Sequence, residues 1–150
     1  MANLKKRSHK MQTITISREL GSLGTVIARA VAERLGYRWV WREVINEAAT
    51  RVGSPELALS QIDDLDLLGL RPSEQSLEVY HQAVQSIIKD LAARGYVVIV
   101  GRAGQVILQD DPDTFHIKIL APLNVRIERI ASRKRISQKA ARAQIEQSDR

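Results

Sequence analysis

Residues 13–35 constrain this chain more than any other stretch. A β-branched run, Thr13-Ile14-Thr15-Ile16-Ser17, leads into Arg18-Glu19-Leu20-Gly21-Ser22-Leu23-Gly24-Thr25, and helical periodicity follows over 26–35. A strand, a glycine turn and a helix in that order bring backbone N–H groups and a helix N-terminus around one point. Such a point binds phosphate. The phosphate-loop motif proper reads G-x-x-x-x-G-K-[ST]. No lysine follows Gly24 here, so the sequence proposes the geometry without its main cation.

Further strands are predicted at 38–41, 96–101 and 115–120, beside the first at 13–17. Val97-Val98-Ile99-Val100 is continuously β-branched, as in a strand buried on both faces of a parallel sheet. Helical segments alternate with these strands. One over 26–35 ends at Gly36, one over 42–52 ends at Gly53, and one over 73–94 ends at Gly95, as expected of glycine C-terminal caps. The longest carries an apolar stripe of Leu77, Tyr80, Val84, Ile87, Ile88 and Leu91. Ser54 reads as an N-cap with Pro55 at the first helical position. A short helix over 103–108 and two more over 123–134 and 137–147 complete the chain, and 63–72 reads as a loop. This alternation predicts a three-layer α/β domain with a parallel sheet flanked by helices.

One domain fits the 150 residues, and their 44% apolar content supports a core. The chain has no cysteine, which excludes a disulfide framework and fits a reducing cytoplasm. No apolar run approaches the roughly 18 residues that span a membrane. The net charge of +6 is unevenly placed. Residues 1–10 carry +4 and residues 126–150 carry +5, which leaves −3 between them. Basic ends around an acidic middle suggest a local anion partner. Residues 1–12 read as a basic, flexible, solvated tail.

Ligands of an open parallel sheet sit beyond the C-terminal ends of its strands. The first strand delivers residues 17–25 to that edge, and the strand ending at Gly101 delivers Arg102, so both are expected at one crevice. Arg126, Arg129 and Arg133 fall at i, i+3 and i+7 and read either as a solvated face or as a mobile basic cover that clamps phosphates. His81 and His116 have no metal-ligand partner at useful spacing. Asp110, Asp111 and Asp113 flank Pro112 and read as a solvated turn before a Mg²⁺ site. Trp39 and Trp41 share one strand face, as core or crevice lining. No protein metal centre is expected.

Four stretches in order carry a resemblance: residues 14–22, residues 32–37, Leu91-Ala92-Ala93-Arg94-Gly95 through Gly101-Arg102, and Ala121-Pro122-Leu123 through Arg129-Ile130. Over about 13–150 the chain resembles the cytidylate kinase-like family of phosphate-loop nucleoside monophosphate kinases. The resemblance implies ATP-dependent phosphoryl transfer, with Mg²⁺, to a nucleoside monophosphate such as CMP or dCMP. By that likeness Gly21, Ser22, Gly24 and Thr25 cradle donor phosphates, and Arg102 holds the acceptor phosphate. Arg133, Arg135 and Arg150 are similar to the lid arginines that neutralise transition-state charge, in a lid region beginning near 133. Arg150 still lies inside that lid, ahead of the family's last strand and last helix. The strand over 115–120 is therefore expected as an exposed sheet edge.

The chain departs from the family at several positions. Leu23 replaces a loop glycine, Thr25 stands where this branch carries arginine, and Trp41 and Ala103 stand where aspartates are usual. These departures open a second reading, a catalytically silent nucleotide-binding pseudokinase. A basic nucleic-acid-contacting module ranks last, because aromatic residues for base stacking make up only 4% of the chain.

Overall fold

The structure, a computed structural model, describes residues 12–41, 44, 47, 50, 51 and 74–149. Four strands form its sheet: β1 (Thr13–Arg18), β2 (Arg38–Val40), β3 (Val97–Val100) and β4 (Thr114–Ile119). All pairings are parallel and the spatial order is β2-β3-β1-β4. Parallel neighbours need crossovers, and helices supply them. These are α1 (Gly24–Leu35), α2 (Glu74–Arg94) and the short α3 (Gly104–Ile107), followed by α4 (Leu123–Lys134) and α5 (Gln138–Ser148). Residues 44, 47, 50 and 51 are also helical, within the helix expected over 42–52. The tail up to residue 11, the caps at Gly53 and Ser54-Pro55, the loop over 63–72 and Arg150 lie outside the described residues.

Side-chain alternation along the strands divides the core. Ile14 and Ile16 of β1 join Val98 and Val100 of β3 against Ala28 and Ala32 of α1. The alternate residues Val97 and Ile99 face the other way. They pack on Tyr80, Val84, Ile87, Ile88 and Leu91, the α2 stripe that the helical period predicted. β3 is buried along its whole length, because helices cover both faces of the sheet there. Fully burying one such Val or Ile contributes about 1.5–3 kcal/mol.

The boundaries moved by a residue or two, and their causes are local. α1 begins at Gly24, two residues before the expected start, because Ser22 Oγ accepts the Gly24 N–H at 3.2 Å and Leu23 takes the left-handed cap conformation. Gly36 and Gly95 cap α1 and α2 with positive φ, as expected. Ser137 caps α5 by accepting the Ala140 N–H at 3.2 Å. β4 is an edge of the sheet among the described residues, and its Phe115 is exposed. A third cluster, Ile130, Ala141 and Ile145, joins α4 to α5 and also takes in Leu20 of the phosphate loop. That contact is how the C-terminal helices reach the site.

Candidate functional site

The loop from Arg18 to Gly24 leaves the C-terminal end of β1 and turns into α1. Gly21 supplies one sharp reversal at φ +85°, where an added Cβ would lie 3.0 Å from the Arg126 carbonyl oxygen. Leu23 supplies a second at φ 64°, with its side chain 46% exposed. A non-glycine residue in that left-handed region costs on the order of 1–2 kcal/mol. Leu23 is thus a strained position in the loop.

Ser22 lies under the loop. It is buried, donates to the Glu19 carbonyl at 2.8 Å and accepts from Gly24 N–H. Its hydroxyl shapes the turn. Gly21, Gly24 and Thr25 line a cavity of about 830 Å³, together with Arg129, Arg133 and Glu128. The first turn of an α-helix has N–H groups without intrahelical acceptors, and α1 carries no acidic side chain there, so this wall favours anions. Among the described residues no lysine lines the cavity.

The structure brings some expected site residues together and holds others apart. Arg133 reaches the cavity wall beside the loop. Arg135 instead caps α4 at φ 55°, exposed in the turn to α5 and off the cavity lining. Arg102 sits in a turn where Gly101, Arg102 and Ala103 all have positive φ (73°, 55° and 55°), also off that lining. The residue that spans the distance between the two turns is Arg18. Its Cβ and Cγ pass so close to Gly24 that an added Cβ would lie 2.3 and 2.7 Å from them, and its Nη1 would lie 2.7 Å from a Cβ on Gly101. Its guanidinium carbon is 6.0 Å from the Trp41 ring centroid. The two glycines leave the channel in which that side chain runs.

Arg126 is not part of a solvated or mobile face. Its side chain is 6% exposed and forms a bidentate pair with Asp149, at 3.0 and 2.6 Å. It also donates to the Leu20 carbonyl at 3.4 Å, and its Nε lies 3.5 Å from Glu19 Oε2. The hydrogen bond from Arg126 holds the Asp149 carboxyl below its ordinary range against the opposing effect of desolvation, and the charges of Arg126 and Lys118 add to the lowering. Arg129 donates to the Gly21 carbonyl at 3.2 Å, and Glu19 accepts the Ala121 N–H at 3.3 Å. The phosphate loop is therefore gripped from α4 and from the end of α5. One signal for this was in the sequence. Arg126 precedes Ile130 by four residues, on the stripe that also holds Leu123 and Ile127, so its position is a core position.

His116 Nδ1 lies 2.6 Å from Thr15 Oγ1, and His81 stacks at a tilt on Tyr80. Asp111 accepts the Asp113 N–H and the Thr114 hydroxyl, at 3.1 and 2.6 Å, which makes residues 111–114 a self-bonded turn. Among the described residues no group of three or more His, Cys, Asp or Glu side chains is placed to hold a metal ion.

Comparison with known proteins agrees with this geometry. The fold is similar to that of a protein from Eubacterium ventriosum, with a TM-score of 0.67 and 23% identity over 92% of this chain and 71% of that one. It is similar to a gluconokinase from Sinorhizobium meliloti, with a TM-score of 0.57 and 16% identity over 93% and 75%. A uronate isomerase from Corynebacterium glutamicum is 27% identical over 109 residues, which are 73% of this chain and 21% of that protein. The chain thus spans about a fifth of the length of that curated relative. The structural likenesses establish a phosphate-loop kinase fold. The profile of the cytidylate kinase-like family matches residues 13–150, and the chain belongs to that family.

Proposed function

We propose that the chain transfers a phosphoryl group from ATP to a nucleoside monophosphate of the CMP or dCMP kind, with Mg²⁺, in the cytoplasm. The observation that carries this reading is the single cavity that joins Gly21, Gly24 and Thr25 to Arg129 and Arg133. Phosphoryl transfer needs positioning and charge stabilisation more than covalent help from the protein. In this reading Gly21, Gly24 and Thr25 hold the donor phosphates on backbone N–H groups, and Ser22 shapes the turn. Arg133 neutralises charge as it develops, and Arg135 and Arg150 share that role. Arg102 takes the acceptor phosphate.

Mg²⁺ binds through phosphate oxygens, waters and one or two protein oxygens. Thr25 and Glu128 both line the cavity and carry oxygen donors of the kind that would hold it. When bound, the ion supplies charge neutralisation between the phosphates. No membrane enters this reading, since no helix of the described residues is long and apolar enough to cross one. Nucleic acid has no role in it either.

A second reading is favoured by a specific observation. Leu23 is strained in the loop and no lysine among the described residues lines the cavity, which suits a chain that binds nucleotide without turning it over. Titration calorimetry with ATP and CMP, with and without Mg²⁺, followed by a coupled kinase assay, separates the two. The kinase reading expects Mg²⁺-dependent ATP binding, and turnover with CMP that disappears in a Thr25→Glu, Arg102→Ala chain. Binding without turnover selects the silent reading, and no binding by folded protein removes both.

A further inference from the structure

Trp41 is the one aromatic side chain on the cavity wall among the described residues. It is half-buried at the end of β2, and Trp39 and Arg18 lie against it. Trp39 packs beside it, with ring centroids 6.2 Å apart at 48°. Arg18 approaches its ring, with the guanidinium carbon 6.0 Å from the centroid. Arg18 is itself confined by the channel between Gly24 and Gly101, so cation and indole are set in place by the same turns that shape the phosphate site.

A cation within about 6 Å of an indole centroid is attracted to the ring. The indole lacks any hydrogen-bond acceptor and offers a flat apolar face and one N–H. An indole face packs against the C–H face of a sugar, but a planar base covers more of it and stacks through its own π system. The cavity, at about 830 Å³, has room for more than phosphates, and its lining includes Arg129 and Arg133.

We propose that Trp41, backed by Arg18, is a stacking platform that makes the site specific for a phosphate ester carrying a planar base, against phosphorylated sugars that lack one. This deepens the nucleotide reading given above and rests on it. Trp41 is a specificity-determining residue, and Arg18 positions it.

The chain has two tryptophans, so intrinsic fluorescence can report on this directly. The folded full chain is titrated with pyrophosphate, ribose 5-phosphate and CMP, as wild type, Trp41→Leu and Trp41→Phe. CMP is expected to bind about tenfold more tightly than ribose 5-phosphate, which is about the weight of one base–aromatic stack. It should also quench wild-type emission. Trp41→Leu should lose that preference while pyrophosphate affinity stays unchanged. Trp41→Phe should keep most of the preference but lose the quench, because Trp39 is then the sole emitter.

Equal wild-type affinity for CMP and ribose 5-phosphate overturns the platform, and this comparison needs no variant to fold. Unchanged CMP binding in Trp41→Leu also overturns it. If pyrophosphate still binds in either case, the phosphate-loop reading survives the loss. If the folded chain binds none of the three ligands, both inferences fall together.

Discussion

Two turns leave the same edge of the sheet, and they are held in different ways. The loop after β1 is tied down by distant parts of the chain: Arg126 and Arg129 bind its carbonyls, and Glu19 binds the Ala121 N–H. The turn after β3 is held mainly by its neighbours. Gly101 N–H bonds to the Ile16 carbonyl at 2.9 Å, and the Gly104 and Ile107 N–H groups close back onto Gly101 and Ala103. Both turns store strain, at Leu23 in the first and at Arg102 and Ala103 in the second. Strained backbone persists only where its surroundings over-determine it. The first turn is over-determined by side chains far away in sequence and the second by the adjacent backbone. The first should therefore fail when a distant side chain is removed, and the second should not.

The largest expected effect follows from Arg126. Arg126→Ala leaves Asp149 and Glu19 without their shared cation and frees the Leu20 carbonyl. Breaking a buried pair costs roughly 3–5 kcal/mol, and the lower end applies because the Asp149 side chain is 36% exposed. Urea unfolding should show a loss of about 3 kcal/mol together with loss of pyrophosphate binding. Arg102→Ala, in the second turn, should leave stability nearly unchanged. Equal losses in the two variants would break the comparison.

How far the sequence foretold this site depends on the range of the forces involved. The strand–glycine–helix order, the buried β3 run and the α2 stripe were legible, because period and burial are local signals. So was the cap at Gly36. The pairing of Arg126 with Asp149 joins two helices across 23 residues, and no spacing rule reaches that far. Reading Arg126 together with Arg129 and Arg133 as one charged face followed the helical angle correctly. It missed that α4 passes beneath the loop at its first turns and emerges by Arg133. Arg18 was hidden for a similar reason. Its role depends on the absence of a Cβ at Gly24 and Gly101, which only three-dimensional proximity reveals.

The next two effects sharpen the contrast within the first turn. Gly24→Ala would set a Cβ 2.3 Å from Arg18 Cβ, near the base of that side chain, where it cannot swing away. Overpacking of this kind costs about 1–3 kcal/mol and should push Arg18 off Trp41. Thermal unfolding with tryptophan emission reads both changes, and a Gly24→Ala chain with wild-type stability and emission would contradict the channel. Leu23→Gly has the opposite sign. It should stabilise the chain by up to about 1 kcal/mol, because glycine adopts the left-handed cap without penalty. It should also tighten pyrophosphate binding. Ala103→Gly, in the second turn, should give a similar gain in stability without altering pyrophosphate affinity. A matching gain in affinity there would mean that the two turns form one phosphate site.

The smallest effect concerns acid. The Asp149 carboxyl lies below its ordinary range in the folded chain, chiefly through the hydrogen bond from Arg126. The unfolded chain therefore binds this proton more readily, and stability rises with pH through the interval between the two values. The contribution is fully present above the ordinary aspartate value of about 3.9. It is lost as pH falls through the folded value. Solvent screening at a carboxylate that is 36% exposed keeps the effect modest. In Asp149→Asn the acid limb of the stability profile should flatten relative to wild type, while Arg126 keeps its ion pair with Glu19. Parallel acid limbs in the two proteins would show that the Asp149 charge adds nothing to stability. The grip of α5 on the phosphate loop would then be a matter of packing through Leu20 and Ile145, not of the ion pair.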